Sequence, residues 1–255
     1  MISRPHTCTT LSRHQAVVWF ARTHYAAQPT GCSVSIGLLD DEEQRRYQAF
    51  RFSADAELYL AAHMLLRTTL SRYANVPPAD WRFVRGGHGR PEIATEPGTR
   101  HGLRFNLSHT RGLAACAVTD RVAVGVDVEQ LDRPVGYQAL ADRWFSRQEA
   151  RQLRAFPVHQ QRARFFEFWT LKEAYIKACG GGLSIPLDGF SLARDARGQW
   201  QIEFASPQDG VSADWQFACL RPTSEHCLAV AIHRPGQPDL QIDVREECER
   251  VAIHA

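Results

Sequence analysis

The segment "EFWTLKEAYIKACGGG", residues 167–182, holds both lysines of the chain, Lys172 and Lys177. The other 28 of the 30 basic residues are arginines, so a guanidinium was used almost everywhere a cation was needed. Arginine presents a rigid planar fork and lysine a compact, rotatable point charge. Two ammonium groups kept five residues apart mark places where the fork does not substitute. Read as a helix over 160–179, the segment stacks Trp169, Glu173 and Lys177 on one side at four-residue steps. The glycines at 180–182 supply its stop. On an exposed helix, a Glu–Lys pair at this spacing would contribute about 0.2–0.5 kcal/mol and mean little more. Here Phe165, Phe166, Phe168, Trp169, Leu171, Tyr175 and Ile176 make the segment apolar around most of its circumference, the pattern of a buried helix. A carboxylate and an ammonium on such a helix are costly unless they serve a site.

A second charged pattern lies upstream. In "VAVGVDVEQ" (122–130), Val124, Val126 and Val128 alternate with Gly125, Asp127 and Glu129. On a strand, residues two apart share a face, so the two carboxylates project together while the valines pack behind. Adjacent carboxylates repel unless a cation or solvent lies between them, and oxygen donors with residual water suit Mg²⁺. By itself, such a pair reads equally well as two surface acids at a strand end.

Around these two segments the chain alternates helices and short strands in the same order twice. "HQAVVWFA" and "CSVSIGLL" read as strands, "DDEEQRRYQAF" and "SADAELYLAAHMLLRTTLSRYAN" as helices, with Ser53 as the N-cap of the second. Strands follow at "DWRFVRG", "LRFNLS", "LAACAVT" and "VAVGVDVE". In the second half, helical segments cover 137–155 and 160–179. Strands then follow at "GFSLARD", "GQWQIEF", "DWQFACL" and "CLAVAIH", and the charged tail after 240 gives no signal. A helix followed by a meander, twice, implies an α+β protein of two similar lobes, 1–120 and 121–255. No residue-level repeat is visible.

Composition narrows the class. With 44% apolar and 23% charged residues, the chain reads as an ordinary globular protein, and a net charge of +2 is too small to argue for nucleic acid. The seven cysteines form no C-x-x-C pair, which suits reduced thiols in a cytoplasmic setting. The longest early apolar run, "AVVWFA", is too short for a signal peptide, and no window approaches a membrane span.

Three loops add candidate contacts. "RGGHGRPEI" (85–93) is glycine-rich and basic, so backbone amides and Arg90 could meet a phosphate. "FNLSHT" (105–110) places Ser108 and His109 at a strand end. The G-x-S-x-G of a hydrolase elbow is absent, so Ser108 makes a poor nucleophile. "FSRQEARQL" (145–153) has Ser146 and Glu149 in the spacing of a capping box.

In order along residues 89–177, "GRP", "FNLSH", "GVDVE", "FSRQE" and "FWTLKEAYIK" resemble the 4′-phosphopantetheinyl transferases. The match is to their larger monomeric class, which activates peptide and polyketide synthases. The pairing of G-V-D-V-E with W-x-x-K-E-A-x-x-K about forty residues later is specific, and a looser resemblance spans residues 40–233. It implies two α+β lobes forming an intramolecular pseudo-dimer, with coenzyme A bound between them. It further implies Mg²⁺ (or Mn²⁺) on Asp127, Glu129 and Glu173, and Lys177 on the same phosphates. Arg90 with His109 would take the 3′-phosphate and adenine end; Arg46 would be a cationic phosphate contact, and Ser108 would line the pocket. The expected partner is an apo acyl or peptidyl carrier protein whose serine attacks the β-phosphorus of coenzyme A, releasing 3′,5′-ADP. Neither nucleic acid nor membrane is expected as a partner. Glu173 and Glu149 are both candidates for taking the serine proton. Two positions depart from the family. Glu57 and Leu58 stand where many relatives carry an arginine that contacts coenzyme A, and "GRP" replaces Gly-Lys-Pro. The alternatives are a non-catalytic coenzyme-A- or carrier-binding protein of the same fold and a Mg²⁺-dependent hydrolase of coenzyme A.

Overall fold

The computed structural model describes residues 9–23, 36–94 and 102–247. The chain divides into two units: one runs to Arg121 and takes back the chain from Leu240 onward, and the other is Val122–Asp239.

In the first unit, the β-branched and aromatic run forms strand β1 (Gln15–Arg22). Helix α1 (Asp41–Gln48) begins in a full capping box, with Asp40 as N-cap and Glu43 as its reciprocal partner. Helix α2 (Ser53–Tyr73) follows, then a short hairpin of β2 (Phe83–Arg85) and β3 (Pro91–Ile93), and then β4 (Leu103–Thr110) and β5 (Leu113–Asp120). Strand β5 is flanked by β1 and β4, antiparallel to both. Helix α2 packs on this sheet through Ala62, Leu65, Leu66 and Leu70, against Val17, Trp19, Ala114, Cys116 and Val118.

The second unit repeats the plan. Strand β6 (Ala123–Gln130) is followed by α3 (Tyr137–Trp144), α4 (Arg147–Ala155) and α5 (Val158–Cys179). The hairpin β7 (Phe190–Arg194) and β8 (Trp200–Phe204) comes next, then β9 (Trp215–Thr223) and β10 (His226–His233). Strand β10 lies between β6 and β9, antiparallel to both. Two α+β units of one topology are therefore present.

Several boundaries differ from those read in the sequence. The helical stretch 137–155 is two helices. Phe145 is extended (φ −88°, ψ 155°), which frees the Ser146 hydroxyl to cap α4 in a box with Glu149. Ser53 is not an N-cap but the first residue of α2; Phe52 holds the cap position without a side-chain bond. Of the strand expected at 32–39, residues 32–35 lie outside the described residues, and Ile36–Leu38 forms a 3₁₀ turn. Strand β3 lies within the segment 85–93 that the sequence presents as a loop. The tail after 240 forms β11 (Gln241–Glu246), which pairs in parallel with β1. Its polar sequence is that of an edge strand, held by Gln15 to Asp243 at 2.6 Å and Arg22 to Glu246 at 2.7 Å.

A residue-level repeat emerges from the contacts. Arg67 stands 14 residues after the first residue of α2, and Lys172 stands 14 after the first of α5. Each is fully buried against the capping-box glutamate of the preceding short helix: Arg67 Nη2 lies 2.5 Å from Glu43, and Lys172 Nζ 2.8 Å from Glu149. Each cation also donates to two carbonyls three residues apart, at the start and just past the end of a later 3₁₀ turn: Pro78 and Trp81 in one case, Leu187 and Phe190 in the other.

Candidate active site

The second unit gathers its charged residues through one close helix–strand contact. Phe166, Thr170, Ala174 and Ala178 follow one another at four-residue steps along α5, all buried. Across from them, one face of the sheet offers Gly125 on β6 and Cys227, Ala229 and Ala231 on β10, equally small and buried. A methyl group on Gly125 would lie 2.0 Å from the Ala174 oxygen and 2.5 Å from the Ala178 nitrogen. Both atoms are backbone, so no side chain can swing aside. Only glycine lets the helix seat here, which is a recurrent reason for glycine inside a strand.

This seat brings Glu173 and Lys177, on the flank of α5, beside Asp127, two residues along β6 on the Gly125 face. Lys177 Nζ donates to Asp127 Oδ1 at 2.6 Å. Glu129, the next residue on that face, accepts from Arg133 at 2.7 Å. Burial pushes the Glu173 carboxyl up to about 7, and the neighbouring charges of Asp127 and Glu129 add to the rise while Lys177 opposes it. Glu129 is likewise raised, by burial and by Asp127, against Arg133 and Lys177. Three carboxylates thus feel one another, with two cations to balance them. That excess of negative charge is the condition in which an oxygen-loving divalent cation binds well. Among the described residues, however, no three acidic, histidine or cysteine side chains are drawn into a closed metal-coordination group. The donors fit Mg²⁺ in type and charge; their present partners are Lys177 and Arg133.

Glu149 lies elsewhere. It is fully buried, accepts from the backbone amides of Ser146 (3.0 Å) and Leu192 (2.9 Å), and pairs with Lys172. Lys172 does not meet the surface: it is enclosed over the Phe190 ring at 4.1 Å, and burial lowers its pKa against the pull of Glu149. The sequence left the role of Lys172 open; the geometry makes it an internal staple among α4, α5 and β7.

The remaining expected contacts belong to the first unit. Arg46 is exposed on α1, 5.8 Å over the Tyr59 ring. Arg90 donates to the Phe105 carbonyl of β4 at 3.0 Å, at the end of a turn in which Gly89 has φ +77°. Ser108 is buried and its neighbour His109 exposed on β4, as successive strand residues facing opposite ways. Arg133 and Gly125 are the residues of the acidic cluster to which the sequence reading gave no part. A lone glycine amid alternating valines was the available signal for the second; nothing marked the first.

Comparison with known proteins identifies the family. The family model of the 4′-phosphopantetheinyl transferase superfamily matches residues 123–231, and that of the 4′-phosphopantetheinyl transferase N-terminal region matches residues 24–120. The 4′-phosphopantetheinyl transferase HetI of Nostoc sp. is 36% identical over 146 residues, covering 57% of this chain and 61% of that protein. The 4′-phosphopantetheinyl transferase Sfp of Bacillus subtilis is 32% identical over 168 residues, covering 66% and 72%. The 4′-phosphopantetheinyl transferase psf-1 of Bacillus pumilus is 34% identical over 195 residues, covering 76% and 79%. The chain belongs to the 4′-phosphopantetheinyl transferase superfamily, in the larger class typified by Sfp.

Proposed function

We propose that this chain moves 4′-phosphopantetheine from coenzyme A to a serine hydroxyl of an apo acyl or peptidyl carrier protein, releasing 3′,5′-ADP, and that the acidic cluster of the second unit is the reacting centre. The observation that carries the reading is the seating of α5 on Gly125, which places Glu173 and Lys177 beside Asp127 and Glu129.

Phosphoryl transfer asks chiefly for positioning and charge neutralisation. Lys177 turns from Asp127 to a diphosphate oxygen, a movement open to a rotatable ammonium on a flexible stem. Asp127, Glu129 and Glu173 would hold Mg²⁺, which when bound neutralises charge on the diphosphate. The serine oxygen bonds to the β-phosphorus, the bond from that phosphorus to the bridging oxygen breaks, and the electron pair leaves with 3′,5′-ADP. The serine proton goes to Glu173, a carboxylate of the same cluster. On the first unit, Arg46, Arg90, Ser108 and His109 are the candidates for contacts to a nucleotide. The protein acts as a monomer in the cytoplasm; among the described residues no helix is long and apolar enough to cross a membrane.

The test is intact-mass spectrometry of an apo carrier protein incubated with the chain, coenzyme A and Mg²⁺, with and without chelator. A mass gain of one phosphopantetheine that the chelator abolishes is the expected result. Consumption of coenzyme A without a gain on the carrier would overturn it in favour of hydrolysis.

A further inference from the structure

On the face of the second sheet that carries Asp127 and Glu129, two thiols meet. Cys219 on β9 is the cross-strand partner of Ala229, and Cys227 lies two residues before Ala229 on the same face of β10, a diagonal neighbour. Their sulfurs are 3.6 Å apart. The register of the β9–β10 pair slips between His226 and Leu228, at Cys227 itself. Such an irregularity lets a strand re-aim one side chain without disturbing the rest of the ladder. Cys227 is fully buried and touches the Thr170 hydroxyl of α5 at 3.3 Å; Cys219 is partly exposed. Cys219 is therefore the less enclosed residue of the pair, and Cys227 lies behind it.

We propose that Cys219 and Cys227 form a redox modification site, closed to a disulfide by exchange with a low-molecular-weight disulfide. The hydrogen bond with Cys227 and burial push the Cys219 thiol up, so hydroxide takes its proton as the sulfur attacks one sulfur of the reagent. The reagent's S–S bond breaks, and its other half leaves as a thiolate that takes up a proton. The Cys227 sulfur, after losing its own proton, then attacks Cys219 in the mixed disulfide. The protein S–S bond forms, and the second half of the reagent departs as a thiol. Two protein sulfurs are each oxidised by one electron and two reagent sulfurs are each reduced by one. Closing the bond brings the sulfurs about 1.5 Å nearer, to the covalent distance. Cys227 also touches Thr170, one turn before Glu173. Across β6, Cys227 pairs in register with Glu129, so the bond would form beside the acidic cluster.

The experiment treats the full-length reduced protein with bis(2-hydroxyethyl) disulfide, alkylates the remaining thiols, and maps them by mass. Trypsin leaves Cys219 and Cys227 together, because Arg221 and Arg234 both precede proline. A second cut after Glu225 separates the two halves unless a disulfide joins them. The expected result is a tryptic fragment lighter by two hydrogens whose halves stay joined after the second cut and part on reduction. In Cys227→Ser the exchange has no second step, so Cys219 should instead retain the reagent's half as a stable adduct. A stable adduct on Cys219 in the unaltered protein would overturn the proposal. So would finding both thiols still alkylatable under conditions that modify Cys179, which is exposed. The readout uses neither coenzyme A nor a carrier, so its failure and failure of the transferase reading are separate results.

Discussion

Five residues beyond the buried cation of each long helix, the two units part company. In the first unit Arg72 lies 4.2 Å over the ring of Trp19 on β1, and its guanidinium is paired with Glu247 at 2.7 Å. In the second, Lys177 lies 2.6 Å from Asp127 on β6. Trp19 pairs with Cys116 on the central strand of its sheet and Asp127 with Ala229 on the central strand of the other, so the two positions correspond. One scaffold thus carries a filled, aromatic version of the position and a charged one. Within the second unit the same contrast separates the two lysines. The Lys172–Glu149 pair is fully buried, and its partners close it off; Lys177 keeps about 29% of its side chain exposed, which leaves it free to change partner. A saturated pair fixes structure. An accessible ammonium next to surplus carboxylates is equipped to receive a ligand.

The sharpest way to break this comparison is to remove each lysine in turn. Lys172→Ala should leave Glu149 buried and uncompensated, at a cost of about 3–5 kcal/mol of stability by denaturant unfolding. The double variant Lys172→Met, Glu149→Leu should regain most of that, since a packed apolar pair replaces the ions. Lys177→Ala removes a partly exposed ammonium from buried Asp127 and should cost less than Lys172→Ala, about 1–3 kcal/mol. On the proposed reading it nevertheless lowers holo-carrier formation by about 10²–10⁴-fold, as should Glu173→Gln. A Lys177 variant that unfolds, or a Lys172 variant whose stability is unchanged, would show that the two roles are assigned the wrong way round.

Much of this was legible in the sequence, and the gaps have definite causes. The buried helix and the carboxylate strand stood out because periodicity and apolar content report one-dimensional patterns well. The repeat of glutamate and cation between units did not, because its partners are Arg67 in one and Lys172 in the other, 23 or 24 residues from acids that each read as an ordinary helix start. Strand β11 was invisible for the opposite reason: an edge strand needs little apolar sequence when a neighbour supplies the ladder. Glu149 shows how one motif can carry two readings. Its S-x-x-E spacing was read as a capping box, and the box is what the structure contains; the acid–base role came only by resemblance, and the site it occupies is closed to solvent.

A finer test concerns the seat of α5. Gly125→Ala adds one methyl where two backbone atoms already stand, and overpacking of this kind costs about 1–3 kcal/mol. The helix must lift, and Glu173 and Lys177 lift with it. Transfer should therefore fall by more than the loss of stability explains, and the deficit should persist at temperatures where the variant is fully folded by circular dichroism. Val126→Ala, on the opposite face of the same strand, should cost stability through a cavity and leave the rate of the folded fraction unchanged. Equal rate losses in both variants would mean that the seat has no special part in positioning the charges.

A last effect is the pH dependence of the response to Mg²⁺, read against the metal-free protein. Glu173 has an ordinary value of 4.5 and a folded value of about 7, so between these the folded state binds the proton more tightly than the unfolded state. Stability from this group is fully present below pH 4.5 and declines as pH rises through about 7. A divalent cation favours the ionised carboxylate and competes with that proton. On the proposed reading, added Mg²⁺ should raise the thermal midpoint more at pH 8 than at pH 6, and Glu173→Gln should flatten the difference. Equal Mg²⁺ shifts at both pH values in the unaltered protein would separate Glu173 from the metal and return the surplus charge to Lys177 and Arg133 alone.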